Sequence, residues 1–378
     1  MTTDFNLRQF YSQNNRLTLP FGVNYGSTIR LGVHNIRLTL LLIYFCADVG
    51  SNVLLAFPGL LKGRARIYAG DVALIVFSKE GGIIFFAQML YRVSAAFMLM
   101  NFCMDNTHSW LRDASDIFDT LKNQRLVDEL KIVAKRSQKI ALANAILRCA
   151  VISIALTMAL PPITEQYPVY VWLPGVIVME LFTIMTPSID GQFLVDLFMI
   201  CQVAASTFSD LNRALKDPTK KMDLQQYLNK FDNICMFVNT IMRYVGRLFI
   251  LFYTINIVVI TFIFYKIFFT ENELMVAILM AIFGITELIM ILFVSQFVGK
   301  IDRTAKYSAE IIFMEYILKD VHGLDKRQQL MQWDLRKYFF ICWCTPISLT
   351  FLGQPINPET SIKIITIILT ALAVILNQ

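Results

Sequence analysis

Charged side chains inside strongly apolar runs are the chemically most informative residues of this 378-residue chain, because a charge is costly in hydrocarbon. Arg148 and Glu180 stand in neighbouring runs at nearly the same predicted height, counted at about 1.5 Å per residue along a helix. We therefore predict that they form a structural ion pair, with contact between Glu180 and a ligand as the alternative. Four further charges have no evident partner: Asp48, Glu80, Arg92 and Glu287.

Polar and aromatic residues recur at helical spacing in the later runs, in the half that faces outward in the topology derived below. An apolar pocket with a few polar anchors is the usual form of a small-molecule site. The predicted ligand-binding residues are Trp172, Met179, Thr183, Thr254, Thr261, Tyr265 and Glu287. Ordinary helix packing and a belt of interfacial aromatic residues account for the same pattern, so both interpretations stay open.

The last apolar run has polar or small residues at steps of three and four, so they share one helix face, whereas the opposite face is Ile, Leu and Val. The stripe consists of Lys363, Thr366, Thr370, Ala373 and Asn377. Such a stripe suits a water-filled pore shared by several subunits. We predict that its last four members line the pore. Lys363 fits a cation pore only if it sits at a wide cytosolic mouth or extends its side chain there, and whether it faces the pore stays open. Threonine hydroxyls bonded to their own helix backbone are the alternative explanation.

Residue types that support catalysis are scattered. The three histidines, His34, His108 and His322, have no Gly-rich phosphate loop or nucleophile motif beside them. The seven cysteines indicate neither a disulfide framework nor a zinc site. A basic soluble domain with aromatic readers, the mark of nucleic-acid binding, is not visible in the sequence. We expect no enzyme activity, no cofactor, no metal and no nucleic-acid partner.

The elements that position these residues are membrane helices. The chain is 56% hydrophobic with a mean hydropathy of +0.56, more apolar than a soluble core requires. Each crossing needs roughly 20 apolar residues, and seven runs qualify. They are Leu38–Phe57, Gly81–Met104, Ile140–Pro161, Val169–Pro187, Val238–Phe269, Leu274–Val298 and Ile362–Gln378. The predicted fold is an all-α membrane protein with seven transmembrane helices.

Two shorter apolar pieces are not counted as spans. Asp71–Phe77 is too short to cross and is expected to form an outer-surface helix. We treat Tyr338–Leu352 as a cytosolic or partly inserted half of the last helix, broken by Gly353, Pro355 and Pro358.

Basic residues predict the orientation, because they stay cytosolic during insertion. Outside the apolar runs, 24 of 28 Lys and Arg residues precede run 1 or lie in the links after runs 2, 4 and 6. The other four lie in the link after run 1: Lys62, Arg64, Arg66 and Lys79. The N-terminus is therefore predicted to be cytosolic and, after seven spans, the C-terminus extracellular.

We interpret residues 1–378 as a single domain with three specialised parts. Residues 1–37 form a cytosolic segment, 299–361 a cytosolic link with the broken start of the last helix, and 362–378 the pore-lining span. The long inner links carry apolar residues at helical spacing, which predicts cytosolic helical extensions that pack together. Amphipathic helices lying loosely on the lipid surface are the alternative.

The chain resembles the insect chemoreceptors, and most closely the gustatory receptors. The similarity is architectural along the whole length: seven spans, the inverted topology and a final span that ends the chain. Phe208, Leu211 and Asn212 match an F-x-x-L-N pattern that often follows span 4 in that family. Gly353 followed by Ile356-Asn357 resembles the turn leading into its last span.

The family signature in the last span is Thr-Tyr, five apolar residues and Gln-Phe. Thr370 and Leu372–Leu376 match it. Ala371 replaces the Tyr, Asn377 replaces the Gln, and Gln378 stands where the Phe would be. Odorant receptors share the fold and usually lack this signature, so they are the second family considered.

The resemblance implies a tetramer, homomeric or heteromeric with other chemoreceptor subunits, around a central pore formed by the final spans. It implies a ligand-gated, non-selective cation channel for a small-molecule tastant in the plasma membrane of sensory neuron dendrites. The many Phe and Met residues favour amphiphilic, bitter-type ligands over sugars, which need denser hydrogen bonding. The alternatives are an odorant-binding subunit that works with an obligate co-receptor, and a seven-span receptor or carrier without a pore of its own.

Overall fold

The computed structural model describes residues 5–7, 9–10, 43, 50, 90–91, 93–95, 97, 106–121, 123–166, 168–216, 224–269, 274–312, 349–351 and 354–376. Its elements are α1 (Asn106–Leu121), α2 (Gln124–Gln166), α3 (Val169–Lys216), α4 (Leu224–Phe269), α5 (Leu274–Ile312), β1 (Thr350–Phe351), β2 (Gln354–Pro355) and α6 (Pro358–Leu376). The predicted spans Leu38–Phe57 and Gly81–Met104 and the piece Asp71–Phe77 lie almost wholly outside the described residues.

Five helices of the described part, α2 to α6, are long and apolar enough to cross a membrane. The helical membrane protein predicted from composition is thereby confirmed for this part of the chain. Helices α2 to α5 contain 39 to 48 residues each. At about 1.5 Å per residue they are roughly twice as long as a bilayer core of about 30 Å is thick. Each must therefore extend well beyond the hydrocarbon.

The start of α4 shows how such an extension packs. Tyr227, Phe231, Ile234 and Val238 recur at helical spacing, and all four are buried in the main hydrophobic core. The ring of Phe231 lies 5.3 Å from that of Phe208 in α3, measured between centroids. This stretch of α4 thus packs inside the bundle, which excludes a loose helix on its surface.

Helix α3 lies at the centre of the bundle and packs against α2, α4 and α5. It runs through Pro187, where the predicted fourth span ended, and its long apolar stretch Ile184–Ala214 continues beyond that point. Proline is tolerated inside membrane helices because neighbouring helices and hydroxyl groups satisfy the freed backbone. Between α2 and α3 only Tyr167 and Pro168 connect the helices, so the two form a long antiparallel hairpin.

A short β-hairpin precedes the last helix. Thr350 pairs with Pro355 and Phe351 with Gln354, in antiparallel register. Helix α6 then begins at Pro358, four residues before the predicted span. Proline suits the first helical position because the N–H it lacks would have no partner there. The chain direction therefore changes at the hairpin, and Pro358 starts the helix instead of breaking it.

Candidate functional site

A buried ion network joins three helices in the middle of the bundle. Nε of Arg148, in α2, donates to Oε1 of Glu287, in α5, at 2.5 Å. A second guanidinium nitrogen of Arg148 donates to the other oxygen of Glu287, which makes the pair bidentate. The third nitrogen donates to Oδ2 of Asp190, in α3, at 3.1 Å. Side-chain exposure is 4% or less for all three residues, so the network is cut off from solvent.

Two polar neighbours complete the network. The Arg148 guanidinium carbon lies 5.0 Å from the centre of the Tyr91 ring, within the range of a cation–π contact. The Tyr91 hydroxyl donates to Oδ1 of Asn256, in α4, at 3.2 Å. Asn256 in turn donates to the Phe252 carbonyl of its own helix at 2.7 Å. The guanidinium of α2 thus contacts α3, α5 and Tyr91, and Tyr91 connects this network to α4.

The predicted pairing of Arg148 with Glu180 is wrong. Glu180 accepts a hydrogen bond from Ser153 at 3.2 Å, whereas Arg148 contacts Asp190 and Glu287. The physical reason is the register of the α2–α3 hairpin. A two-residue link places Ser153 opposite Glu180, and Arg148 lies about one and a half turns further from the link. Heights counted from assumed membrane boundaries missed this, because both helices continue past those boundaries.

The predicted ligand-binding residues are in different states. Thr254 and Thr261 donate to carbonyls four residues earlier at 2.7 Å, and Thr261 is fully buried. Tyr265 is buried and stacks on Phe269. Both oxygens of Glu287 are taken by Arg148, which gives this residue a structural contact. The side chains of Met179 and Thr183 lie outside the described residues.

Trp172 differs from the other predicted ligand-binding residues. It lies in the first turn of α3, and its indole nitrogen is buried without a hydrogen-bond partner among the described residues. A buried N–H without an acceptor costs free energy, so this donor is open to a polar group that enters the same space. Of the predicted ligand-binding side chains that the structure describes, Trp172 offers the clearest free donor.

The last helix turns its polar edge away from its own bundle. Thr366 and Thr370 are exposed, and each hydroxyl donates to the carbonyl four residues earlier. Lys363 is exposed and pairs with Glu359 at 2.6 Å. On the opposite side, Ile365 is buried, and three residues beyond it Ile368 packs against the core. Ala373 lies at the edge of the exposed stripe with intermediate exposure, and Asn377 lies outside the described residues.

A chain of three hydroxyls fastens the start of α6 to the bundle, and we call it the hydroxyl latch. The hydroxyl oxygens of Tyr253, in α4, and Ser361, in α6, lie 2.6 Å apart. Those of Ser361 and Ser295, in α5, lie 2.7 Å apart. All three residues are fully buried. The latch therefore ties the last helix to α4 and α5, the two helices that also carry Asn256 and Glu287 of the ion network.

Close backbone packing supports the latch. A Cβ atom added to Gly299, in α5, would lie 3.1 Å from both the Cβ of Asn357 and the carbonyl oxygen of Ile356. A larger residue would push the segment 356–357 away by a few tenths of an ångström, so glycine favours this close approach to α5. Asn357 also caps α6, because its side-chain oxygen accepts a hydrogen bond from the Thr360 backbone at 2.9 Å.

The motif residues quoted for the family resemblance have structural contacts here. Phe208 and Leu211 are buried in the core of α3. The side-chain nitrogen of Asn212 donates to the Thr304 carbonyl of α5 at 3.3 Å, which fixes the distal end of α3 against α5.

Sequence reasoning missed Asp190 and the hydroxyl latch. Asp190 follows Pro187, the end of the predicted fourth span, so the predicted topology places it in a link rather than in the interior of the bundle. The signal for it is the hairpin register: counting equal numbers of residues from the link at Tyr167-Pro168 places Arg148 opposite Pro187, within about one turn of Asp190. Ser295 and Ser361 gave no signal, because the contact between them depends on the hairpin at 350–355.

No known protein-family model matches this sequence, and no curated protein shows significant sequence similarity to it.

Proposed function

We propose that this chain is a subunit of a gustatory-type chemoreceptor, a ligand-gated, non-selective cation channel that opens to a small-molecule tastant. It works as a homomeric or heteromeric tetramer in the plasma membrane of sensory neuron dendrites. The observation that carries the proposal is the outward polar edge of α6. Thr366 and Thr370 face away from the protein's own bundle on a helix apolar enough to cross a membrane. Hydroxyls in that position suit a pore formed between subunits.

The N-terminal segment supports the predicted number of crossings before α1. The ring of Phe5 lies 5.9 Å from that of Phe118, in α1, and Leu7 is buried in the main core. Helix α1 leads directly into the start of α2, where Arg125 pairs with Asp210 at the distal end of α3. An N-terminus on this side of the membrane requires an even number of crossings before α1, in agreement with two predicted spans there.

Trp172 supports a ligand site near the α2–α3 link. Its open N–H suits a ligand with a hydrogen-bond acceptor and an otherwise apolar body, the form expected of a bitter-type molecule. A channel needs its ligand site coupled to its pore helix. The hydroxyl latch offers such a connection through α4 and α5.

Expression in a heterologous cell tests the proposal. A panel of amphiphilic ligands should evoke calcium influx from this chain alone. Influx that appears only with the olfactory co-receptor would instead identify an odorant-binding subunit. Binding without any current in either setting would indicate a receptor or carrier that lacks a pore.

Two companion measurements sharpen that test. Trp172→Phe should raise the ligand concentration for half-maximal influx, whereas the control Tyr170→Phe, at a side chain that is 63% exposed, should not. A tag before Met1 should be inaccessible in intact cells and a tag after Gln378 accessible. Labelling of the N-terminal tag without permeabilisation would overturn the orientation.

A further inference from the structure

Among the described residues, the buried ion network is not neutral. One guanidinium, on Arg148, faces two carboxylates, on Asp190 and Glu287. With all three groups ionised, one negative charge is in excess. An uncompensated charge in a low-dielectric interior is strongly unfavourable, so something must neutralise it.

The excess charge belongs to Asp190. Both oxygens of Glu287 bind Arg148, but only one oxygen of Asp190 does. Oδ1 of Asp190 is buried without a hydrogen-bond partner among the described residues. The side chain is 2% exposed, so bulk water does not satisfy that oxygen.

A second open oxygen lies beside it. Thr186 is 7% exposed, and its Oγ1 also lacks a partner in the described part of the chain. It precedes Asp190 by one helical turn on the face of α3 that meets α2, so the two Cβ atoms are about 5–6 Å apart. Helical hydroxyls elsewhere, such as those of Ser188 and Thr261, donate to the carbonyl four residues earlier. Thr186 does not, so its hydroxyl oxygen stays open to a partner one helical turn from Asp190.

We propose that Asp190 Oδ1 and Thr186 Oγ1 bind one small monovalent cation, sodium in the simplest case, with water completing its coordination. Hard cations of this kind take oxygen ligands. A single positive charge balances the network, whereas a divalent ion would leave a positive excess. The nearly complete burial of the site suits a resident ion better than an organic ligand.

A proton on Asp190 is the competing explanation. A proton would neutralise the charge. The O–H group at Asp190 Oδ1 would then lack an acceptor, because Asp190 Oδ1 and Thr186 Oγ1 form no hydrogen bond with each other. A buried donor without an acceptor carries a cost that a cation between the two oxygens avoids.

Thermal unfolding of the purified full-length protein in lipid nanodiscs tests the site. The midpoint should rise with added sodium chloride by about 2–4 °C and then saturate, compared with N-methylglucamine chloride at equal ionic strength. Asp190→Asn should abolish this sodium dependence. The control Asp128→Asn, at an exposed carboxylate bonded only to Gln124, should keep it.

A second variant, Thr186→Val, tests the site even if the Asp190→Asn protein fails to fold. It keeps the side-chain shape and should raise the sodium concentration for half-maximal stabilisation about tenfold. Equal midpoints in the two salts would overturn the proposal. A midpoint that responds to pH and not to sodium would assign a proton to Asp190 instead. Sodium dependence that persists in both variants would place the ion elsewhere and equally overturn the proposal.

Discussion

The ion network and the last helix use polar residues within apolar helices in opposite ways. In α3, 78% of the apolar stretch is buried, and Asp190 there faces inward to Arg148. In α6 only 11% of the corresponding stretch is buried, and Thr366 and Thr370 face outward with their own helix carbonyls as described partners.

The two regions differ in what their polar side chains do for stability. The inward charges are held by contacts with one another, so removing the guanidinium strands two carboxylates in a low-dielectric interior. Outward hydroxyls are satisfied within their own helix, so their loss leaves nothing unpaired in the protein itself. Substitutions in the two regions should therefore differ sharply in their effect on stability.

The largest effect is expected for Arg148→Met. Two buried carboxylates lose the guanidinium that pairs with both of them, which should lower the free energy of unfolding by about 3–5 kcal/mol. Thermal unfolding of purified protein, or the fraction that reaches the cell surface, measures the loss. Replacing all three members by apolar residues, as Arg148→Met, Asp190→Leu and Glu287→Met together, should restore most of it.

The same site tests the corrected register. Arg148→Met combined with Glu287→Gln should be much milder than the sum of the two single effects, because the residues are in direct contact. Arg148→Met combined with Glu180→Gln should be additive. Strong coupling to Glu180 would contradict the arrangement of α2 and α3.

The helices of the described part were predictable, whereas the contacts between them were only partly so. Long apolar runs imply membrane helices however those helices pack. The periodicity of Tyr227 and Phe231 correctly indicated packed extensions. The partner of Arg148 was not predictable from membrane depth. A depth is counted from the ends of a helix, and α3 does not end at Pro187, where the sequence suggests an end. Glu180 and Asp190 stand ten residues apart on the same helix, and only the hairpin register distinguishes them.

The last helix shows the same limit. The face of Thr366 and Thr370 was predicted from spacing alone, and the structure exposes both while it buries Ile365. The hydroxyl latch was not predictable, because it unites Tyr253, Ser295 and Ser361 from three distant segments. Local patterns identify a helix face, but tertiary packing decides what that face meets.

An intermediate effect is expected at the hydroxyl latch. Ser361→Ala removes the middle hydroxyl of the latch, which is a hydrogen-bond partner of both Tyr253 and Ser295, and should lower the free energy of unfolding by about 1–3 kcal/mol. Hydrogen exchange should increase at the start of α6 more than in α1. The control Ser188→Ala, at a hydroxyl bonded to its own helix carbonyl, should change neither quantity. Equal effects from the two variants would mean that the hydroxyl latch does not hold α6 to the bundle.

The smallest effect is expected for Lys363→Gln. Its ion pair with Glu359 is solvent-exposed, and such pairs add little to stability. The unfolding midpoint should stay within about 1 °C of the unmodified protein. A large drop would mean that this edge of α6 is packed against something in the assembled protein and does not face water.

The central claim is that the outward polar edge of α6 lines a conduction path, and cysteine accessibility during recording tests it most directly. Single cysteines at Thr366 and Thr370 should react with water-soluble thiol reagents and change the ligand-evoked current, while surface expression is preserved. Cysteines at Ile365 and Ile368, on the face that packs against the bundle, should be inert. Current that is indifferent to modification at both threonines, or altered equally from both faces, would contradict the claim and place the pore elsewhere.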